Sequence, residues 1–222
     1  MAKLDPRLQS IAARIDSRVH ADIGSDHAYL LRALLDARRI EHGIAIEKSP
    51  GPFFNSRSTL AGRDADVRLT DGLAGLRPGE ADSVSLSGMG GELICRILRA
   101  HPERVPDAVI LQPNDHQDAV RRWGRESDFH LIDEHLVHQR ATYVTLVFQR
   151  TTPCPDPAYD GLHPVDAMLF GPHLIRRCDP ALLEFLHREH RRLGQHDRLA
   201  PDSQQRLESV RRLLRRFGQA IR

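Results

Sequence analysis

The stretch ADIGSDHAYLL, residues 21–31, sets the reading of the whole chain. A short apolar strand runs into an acid and a glycine, which is how an open α/β sheet turns toward a bound nucleotide. The turn then departs from a phosphate loop. Where a GxGxxG pattern would place its three glycines, this chain has Gly24, Asp26 and Tyr29. A carboxylate repels a pyrophosphate seated on the following helix, which disfavours a dinucleotide and with it a nicotinamide dehydrogenase. A ligand with ribose and adenine, but cationic groups where a dinucleotide has phosphates, suits such a loop.

Outward from this stretch, apolar runs alternate with helical patterns. Strands are expected at VHADI (19–23), GIAIE (43–47), VRLT (67–70), SVSLS (83–87) and AVILQ (108–112), with helices near 28–39, 51–61, 90–100 and 115–126. Short, continuously apolar strands spaced in this way predict a parallel sheet covered on both faces. FHLIDEHLVHQ and RATYVTLVFQR meet at Gln139 and Arg140 and predict a closing antiparallel hairpin, for seven strands in all. Upstream, MAKLDPRLQSIAARI predicts an amphipathic helix entered through Asp5 and Pro6, without the apolar core of a signal peptide.

Downstream, TTPCPDPAYDGLHP (151–164) is proline-rich and reads as a linker or wrapping loop. PALLEFLHREHRRL and DSQQRLESVRRLLRRFGQAIR predict two helices, separated by GQHDRLAP and paired as a hairpin. In the second, Leu207, Val210, Leu214, Phe217 and Ile221 form one apolar stripe under an arginine-rich face. The fold class expected is therefore α/β, a Rossmann-like seven-stranded sheet with a C-terminal helical hairpin. The expected domains are 1–152 for ligand binding and 153–222 for the helical part.

Composition narrows the function classes. The chain has 222 residues, 40% hydrophobic and 28% charged, and no apolar run of the length a bilayer needs, so a membrane span is excluded and a cytoplasmic protein is expected. Cys95, Cys154 and Cys178 are odd in number and widely spaced, which supports neither a disulfide framework nor a metal site. The net charge of +2 hides an asymmetry: from Arg176 onward twelve arginines face six acids, a surplus of six that leaves the preceding body at −4.

In an open parallel sheet, ligands bind beyond the carboxyl ends of the strands, near the point where strand order reverses. The residues there form a set: Asp22, Gly24, Ser25 and Asp26 after the first strand, Glu47 after the second, Asp71 and Gly72 after the third, SGMGG (87–91) after the fourth, and QPN (112–114) after the fifth. Glu47 stands 23 positions after Gly24, close to the spacing of an acid that grips ribose hydroxyls. Asp71 is placed to accept from an adenine amine, beside a Gly72 that leaves room for the ring. Each signal has a plainer explanation: Gly24 as an ordinary turn, Asp26, Asp71 or Asp115 as helix caps, Met89 as a core plug. Their joint order along five strands favours an adenosine-containing ligand. S-adenosylmethionine fits the acid-lined turn because it carries an ammonium and a sulfonium and no phosphate.

DIGSDHAYL, the acid of GIAIEKSPGPF, SGMGG, LQPN and FGPHLIRR resemble the bacterial tRNA (adenine-N1)-methyltransferase family, whose members methylate adenine 22 in the tRNA D arm. The resemblance runs through nearly the whole chain. It implies a seven-stranded methyltransferase domain followed by a small, coiled-coil-like helical domain, with S-adenosylmethionine as cofactor and tRNA as partner. Carried over by motif, it implies that Asp22, Gly24, Ser25, Asp26, Glu47, Asp71 and Gly72 line the cofactor, with His27, Lys48 and Ser87 beside them. Gly88, Met89 and Gly90 would lie between cofactor and base.

The reaction this implies is in-line attack of adenine N1 on the sulfonium methyl. That lone pair is free at neutral pH, so positioning, worth roughly 7–11 kcal/mol, replaces a strong base. Asp26 and Asn114 are the candidates for stabilising the adenine as it becomes cationic, and Tyr29 for stacking on or orienting it. Capping and packing remain the alternative for all three. A base hidden in a paired arm must be flipped at a cost of a few kcal/mol, and Arg188, Arg191, Arg192, Arg211, Arg212, Arg215 and Arg216 are the candidate phosphate contacts. A solvated helix face, a dimerisation arm, a small-molecule methyltransferase of the same fold and a noncatalytic RNA-binding protein are the competing readings.

Overall fold

The computed structural model describes residues 4–139, 141–196 and 198–219. Strands β1 (Val19–Ile23), β2 (His42–Glu47), β3 (Ala65–Leu69), β4 (Ser83–Ser87) and β5 (Ala108–Gln112) form where the apolar runs predict them, β3 beginning two residues earlier. Strands β6 (Phe129–His138) and β7 (Thr142–Arg150) complete one seven-stranded sheet of order β3-β2-β1-β4-β5-β7-β6. The first five are parallel, while β7 runs antiparallel to both β5 and β6. Strand order reverses between β1 and β4, which puts the crevice for a ligand above those two strands. Arg140, in the expected β6–β7 junction, lies outside the described residues.

Seven of the nine helices among the described residues correspond to expected ones: α1 (Pro6–Ala12), α2 (Tyr29–Asp36), α3 (Pro50–Leu60), α4 (Gly91–Ala100), α5 (Gln117–Glu126), α8 (Pro180–Gly194) and α9 (Pro201–Arg216). Asp5 caps α1 by accepting from the Leu8 amide at 2.9 Å, with Pro6 in the first turn, as the sequence predicts. The stretch 151–164 is not wholly a loop, since it holds a single 3₁₀ turn at Pro157–Tyr159 and ends at Pro164, where α6 (Pro164–Phe170) begins. A further helix, α7 (Pro172–Arg176), lies within FGPHLIRR. Both are too short for a helical period to show in sequence.

The FGPHLIRR segment is fixed by a buried ion pair. Arg121 of α5 donates to Glu134 of β6 at 2.8 Å, both side chains being almost wholly buried. The same Glu134 carboxylate accepts from the His173 amide at 3.0 Å, and Arg121 also donates to the Met168 carbonyl at 2.7 Å. Gly171 has φ +92, and a Cβ there would lie 2.5 Å from the Glu134 oxygens, so only glycine lets the chain pass over the pair.

Each face of the sheet carries a core. On one face Ile11, Ile15, Leu30, Leu31 and Leu34 pack over Ala45, Ile110 and Val147. On the other, Ile23, Ile46, Val84, Leu86 and Leu111 are continuous with Ile94, Leu98, Phe148, Phe170, Leu174, Leu182, Leu186, Val210 and Leu214. The helical hairpin therefore shares the core of the sheet. Of the expected α9 stripe, Leu207, Val210 and Leu214 are buried and Phe217 is half-buried, while Ile221 lies outside the described residues.

Candidate functional site

The crevice over β1 and β4 is built around Gly24. Its φ of +72 turns the chain away from β1, its amide donates to the Ile46 carbonyl at 2.9 Å, and a Cβ there would meet Met89 Cε at 2.9 Å. The loop continues through left-handed Asp26 (φ 59) and Ala28 (φ 50) into α2. Non-glycine residues hold such angles at a cost of about 1–2 kcal/mol each, and strain of this kind concentrates at functional loops. Ser25 Oγ is buried in this loop beside the Asp22 carboxylate, whose titration it lowers.

Three carboxylates converge here. Asp22 is buried at the end of β1 and accepts from Ser85 Oγ at 2.6 Å. Glu47 is buried at the end of β2 and accepts from Ser56 Oγ at 3.1 Å. Burial raises both above the ordinary carboxylate values, and the charges of Asp22 and Asp26 push Glu47 further the same way. Two raised, buried carboxyls at adjacent strand ends suit a cationic group more than an anionic one. Asp71, on the rim after β3, instead meets Lys48 at 2.7 Å, both side chains exposed, beside buried Gly72 (φ +58).

Among the described residues, neither Asp26 nor Asn114 caps a helix by its side chain, and Tyr29 packs only against its neighbours on the surface. The N-cap of α2 is Ala28, without a side-chain cap, so Asp26 does not cap it; its exposed carboxylate lies 3.6 Å from His27 Nε2. Tyr29 is 43% exposed, so it is no core residue: it stacks on His27 (ring centroids 5.2 Å apart) under the Arg32 guanidinium at 4.9 Å. Asn114 caps nothing by its side chain, since the N-cap of α5 is His116 (φ 46); its backbone amide donates to the Met89 carbonyl at 3.0 Å, which joins the β5 loop to SGMGG. Asp115 does act as a cap, but for α4, accepting from the Gly91 amide at 3.0 Å. Ser87, Gly88, Met89 and Gly90 thus form one rim with Asn114, and Gly88 has φ +74.

Two contributors had no local signal in the sequence. Arg7 of α1 donates to Gln112 Oε1 at 3.4 Å, comes within 3.6 Å of where a Gly88 Cβ would sit, lies 5.9 Å from the Tyr143 ring and lowers the Asp22 titration by its charge. His20 is buried beneath Asp22. Only the packing of α1 on the sheet and the β1–β4 register bring them to the site.

The tail arginines divide. Arg212 is held by Asp166 through two bonds of 2.7 and 2.8 Å, and Arg192 by Glu189 at 2.9 Å, with Arg206 on the same carboxylate at 2.6 Å. Arg188 has a buried Nη2 without a partner. Arg191, Arg211, Arg215 and Arg216 are exposed. Among the described residues no group of three or more His, Cys, Asp or Glu is arranged to hold a metal ion, and no helix is long and apolar enough to cross a membrane.

A seven-stranded sheet of this order, with an acid-lined glycine turn at its switch point, defines a methyltransferase fold that binds a nucleoside cofactor. The sequence model for tRNA (adenine(22)-N(1))-methyltransferase matches residues 20–216. The tRNA (adenine(22)-N(1))-methyltransferase of Bacillus subtilis (strain 168) is 36% identical over 190 residues, 82% of this chain and 79% of the relative. The crystal structure of the B. subtilis m1A22 tRNA methyltransferase TrmK superposes with a TM-score of 0.82 at 31% identity, covering 97% of this chain and 99% of that one. Streptococcus pneumoniae Sp1610, a putative tRNA (m1A22) methyltransferase in complex with S-adenosyl-L-methionine, shares the fold with a TM-score of 0.84 at 24% identity, covering 96% and 100%. The chain belongs to the tRNA (adenine(22)-N(1))-methyltransferase family and is an S-adenosylmethionine-dependent enzyme of tRNA modification.

Proposed function

We infer that the crevice over β1 and β4 transfers the methyl group of S-adenosylmethionine to N1 of adenine 22 in tRNA, with the residues named here in distinct roles. The observation that carries the assignment is the convergence of Asp22, Asp26 and Glu47 on one glycine turn, where a phosphate-bearing ligand would be repelled and a cationic one held.

The cofactor supplies an electrophilic methyl on a sulfonium. Asp22 takes its ammonium, and Arg7, beside Gly88, takes its carboxylate, so the two poles of the amino acid meet opposite charges. Glu47 accepts from the ribose hydroxyls. Asp71 and Gly72 border the adenine, with Lys48 screening Asp71 until the ring arrives. Because the ribose and adenine acids stand on β2 and β3, the methyl donor points across the switch toward β4 and β5, and the acceptor base enters there. Asn114 and Asp26 accept from the exocyclic amine as positive charge develops on the ring, and Tyr29 stacks against the base. No general base is needed, because N1 attacks through a free lone pair.

Residues 153–222 form the RNA-docking part. Arg191, Arg211, Arg215 and Arg216 face phosphates, whereas Arg192 and Arg212 hold the hairpin in place. The enzyme works in the cytoplasm. Mass-spectrometric nucleoside analysis of unmodified tRNA incubated with protein and S-adenosylmethionine tests the assignment: 1-methyladenosine at position 22 is expected, and cofactor binding with no methylated nucleoside overturns it.

A further inference from the structure

A line of buried polar side chains runs beneath the cofactor turn. β1 and β4 pair in parallel with His20 opposite Ser83 and Asp22 opposite Ser85. Residues two apart share a face, so the four side chains stand together. Ser17 Oγ lies 2.7 Å from Ser83 Oγ, Ser83 Oγ 2.6 Å from His20 Nδ1, His20 Nε2 2.9 Å from Ser85 Oγ, and Ser85 Oγ 2.6 Å from Asp22 Oδ1. His20 and Ser85 are 0% exposed and Ser83 1%, at the centre of a sheet whose neighbouring positions Ala21, Val84 and Leu86 are apolar. Apolar side chains would fill these places without any need for partners, so the polar line calls for a role.

The donor and acceptor inventory gives the line one direction. An ionised Asp22 only accepts, so the Ser85 proton is committed to it. Ser85 Oγ then accepts from His20, which requires the proton on Nε2 and leaves Nδ1 as an acceptor for Ser83. Ser83 in turn accepts from Ser17. Burial lowers the imidazole to about 3, so His20 stays neutral while it donates.

We propose that His20 is a positioning residue for cofactor binding: as the neutral Nε2–H tautomer it orients the Ser85 hydroxyl, which fixes Asp22 Oδ1 and leaves Oδ2 to the cofactor's ammonium. The proposal rests on Asp22 being the ammonium site. An Asp22 not held from below would have to be ordered at each binding event, and its bond to the ammonium would weaken accordingly.

Binding of S-adenosylhomocysteine and of 5′-methylthioadenosine, which keeps the nucleoside and sulfur but has no amino-acid chain, separates the roles. Ser85→Ala and His20→Leu are expected to weaken S-adenosylhomocysteine about tenfold or more, while 5′-methylthioadenosine stays within about twofold. His20→Gln, which keeps a donor near the Nε2 position, is expected to retain S-adenosylhomocysteine affinity within about threefold. Long-range ¹H–¹⁵N spectra of the wild-type protein should show His20 neutral with its proton on Nε2. Equal losses for both ligands would mean that the array only holds the fold, and would overturn the proposal. So would an Nδ1–H tautomer, or unchanged S-adenosylhomocysteine affinity in Ser85→Ala. If the wild-type protein bound 5′-methylthioadenosine as tightly as S-adenosylhomocysteine, the ammonium assignment of Asp22 would fall first and the proposal with it.

Discussion

Arg212 of α9 grips Asp166 of α6 through two hydrogen bonds, of 2.7 and 2.8 Å, and the carboxylate it grips is buried. An arginine on the basic face of the tail is thus part of what fastens the tail. Arg212→Ala leaves Asp166 with only His163, at 3.7 Å, among the described residues. Because the Arg212 side chain is 42% exposed, water reaches the pair. The expected loss is therefore about 2 kcal/mol, below the full cost of an orphaned buried charge. Thermal unfolding should show a melting temperature about 5 °C lower; an unchanged one would mean that Asp166 is already solvated.

Arg211, Arg215 and Arg216 differ from Arg212 in having no ion pair among the described residues. Reversing all three to glutamate should weaken tRNA binding and flatten its dependence on salt by roughly one unit of slope per lost phosphate contact. Affinity for S-adenosylhomocysteine should not move. Arg192→Glu should behave otherwise, since it sets a like charge against Glu189 and lowers stability first. A triple variant with unaltered salt slope would place the RNA on another face.

The parallel strands were legible because each is a short, mostly apolar run broken by glycine, acid or, after β5, proline, and β1, β4 and β5 form at their expected bounds. The helices α6 and α7 were not, because their positions depend on the Arg121–Glu134 pair and on the Gly171 crossing, contacts made over 13 and 37 residues of sequence separation. The site divides in the same way. Gly24, Asp22 and Glu47 follow directly from strand ends. Arg7 and His20 carry no such mark, since one arrives on a packed helix and the other lies two residues upstream in a strand that reads as core.

Gly24 makes the dependence on glycine testable. Gly24→Ala must hold φ near +72, at a cost of about 1–2 kcal/mol, and its methyl meets the flexible end of Met89 at 2.9 Å. The side chain of Met89 is able to move, so the protein should fold with a melting temperature lowered by a few degrees. Cofactor affinity should fall about tenfold, because the turn and SGMGG shift together. Isothermal titration with S-adenosylhomocysteine checks this, and wild-type affinity would remove the turn from the site.

Asp26 separates binding from turnover. Its side chain caps no helix, and asparagine tolerates the left-handed angle as aspartate does, so Asp26→Asn should leave the melting temperature unchanged. If Asp26 acts on the base as it becomes cationic, kcat falls about a hundredfold while the dissociation constant for S-adenosylmethionine changes only a few-fold. A loss confined to cofactor affinity would assign the carboxylate to the sulfonium side.

The pH dependence of cofactor binding follows from Asp22 and Glu47, both raised above their ordinary 3.8 and 4.5 chiefly by burial. For a carboxyl raised on folding, the contribution to stability is fully present below the unfolded value and lost as pH rises through the folded one, so above both raised values the ligand-free protein bears the cost of two ionised buried acids. The ammonium of the cofactor offsets that cost only while Asp22 is ionised. The rise in melting temperature caused by saturating S-adenosylhomocysteine should therefore be largest above the raised values of the two carboxyls and shrink as pH falls through them and they take up protons. Asp22→Asn should flatten the profile, leaving the smaller part due to Glu47. A thermal shift that stays constant for the wild-type protein as pH is lowered toward the ordinary carboxylate values would show that neither carboxyl titrates with the ligand.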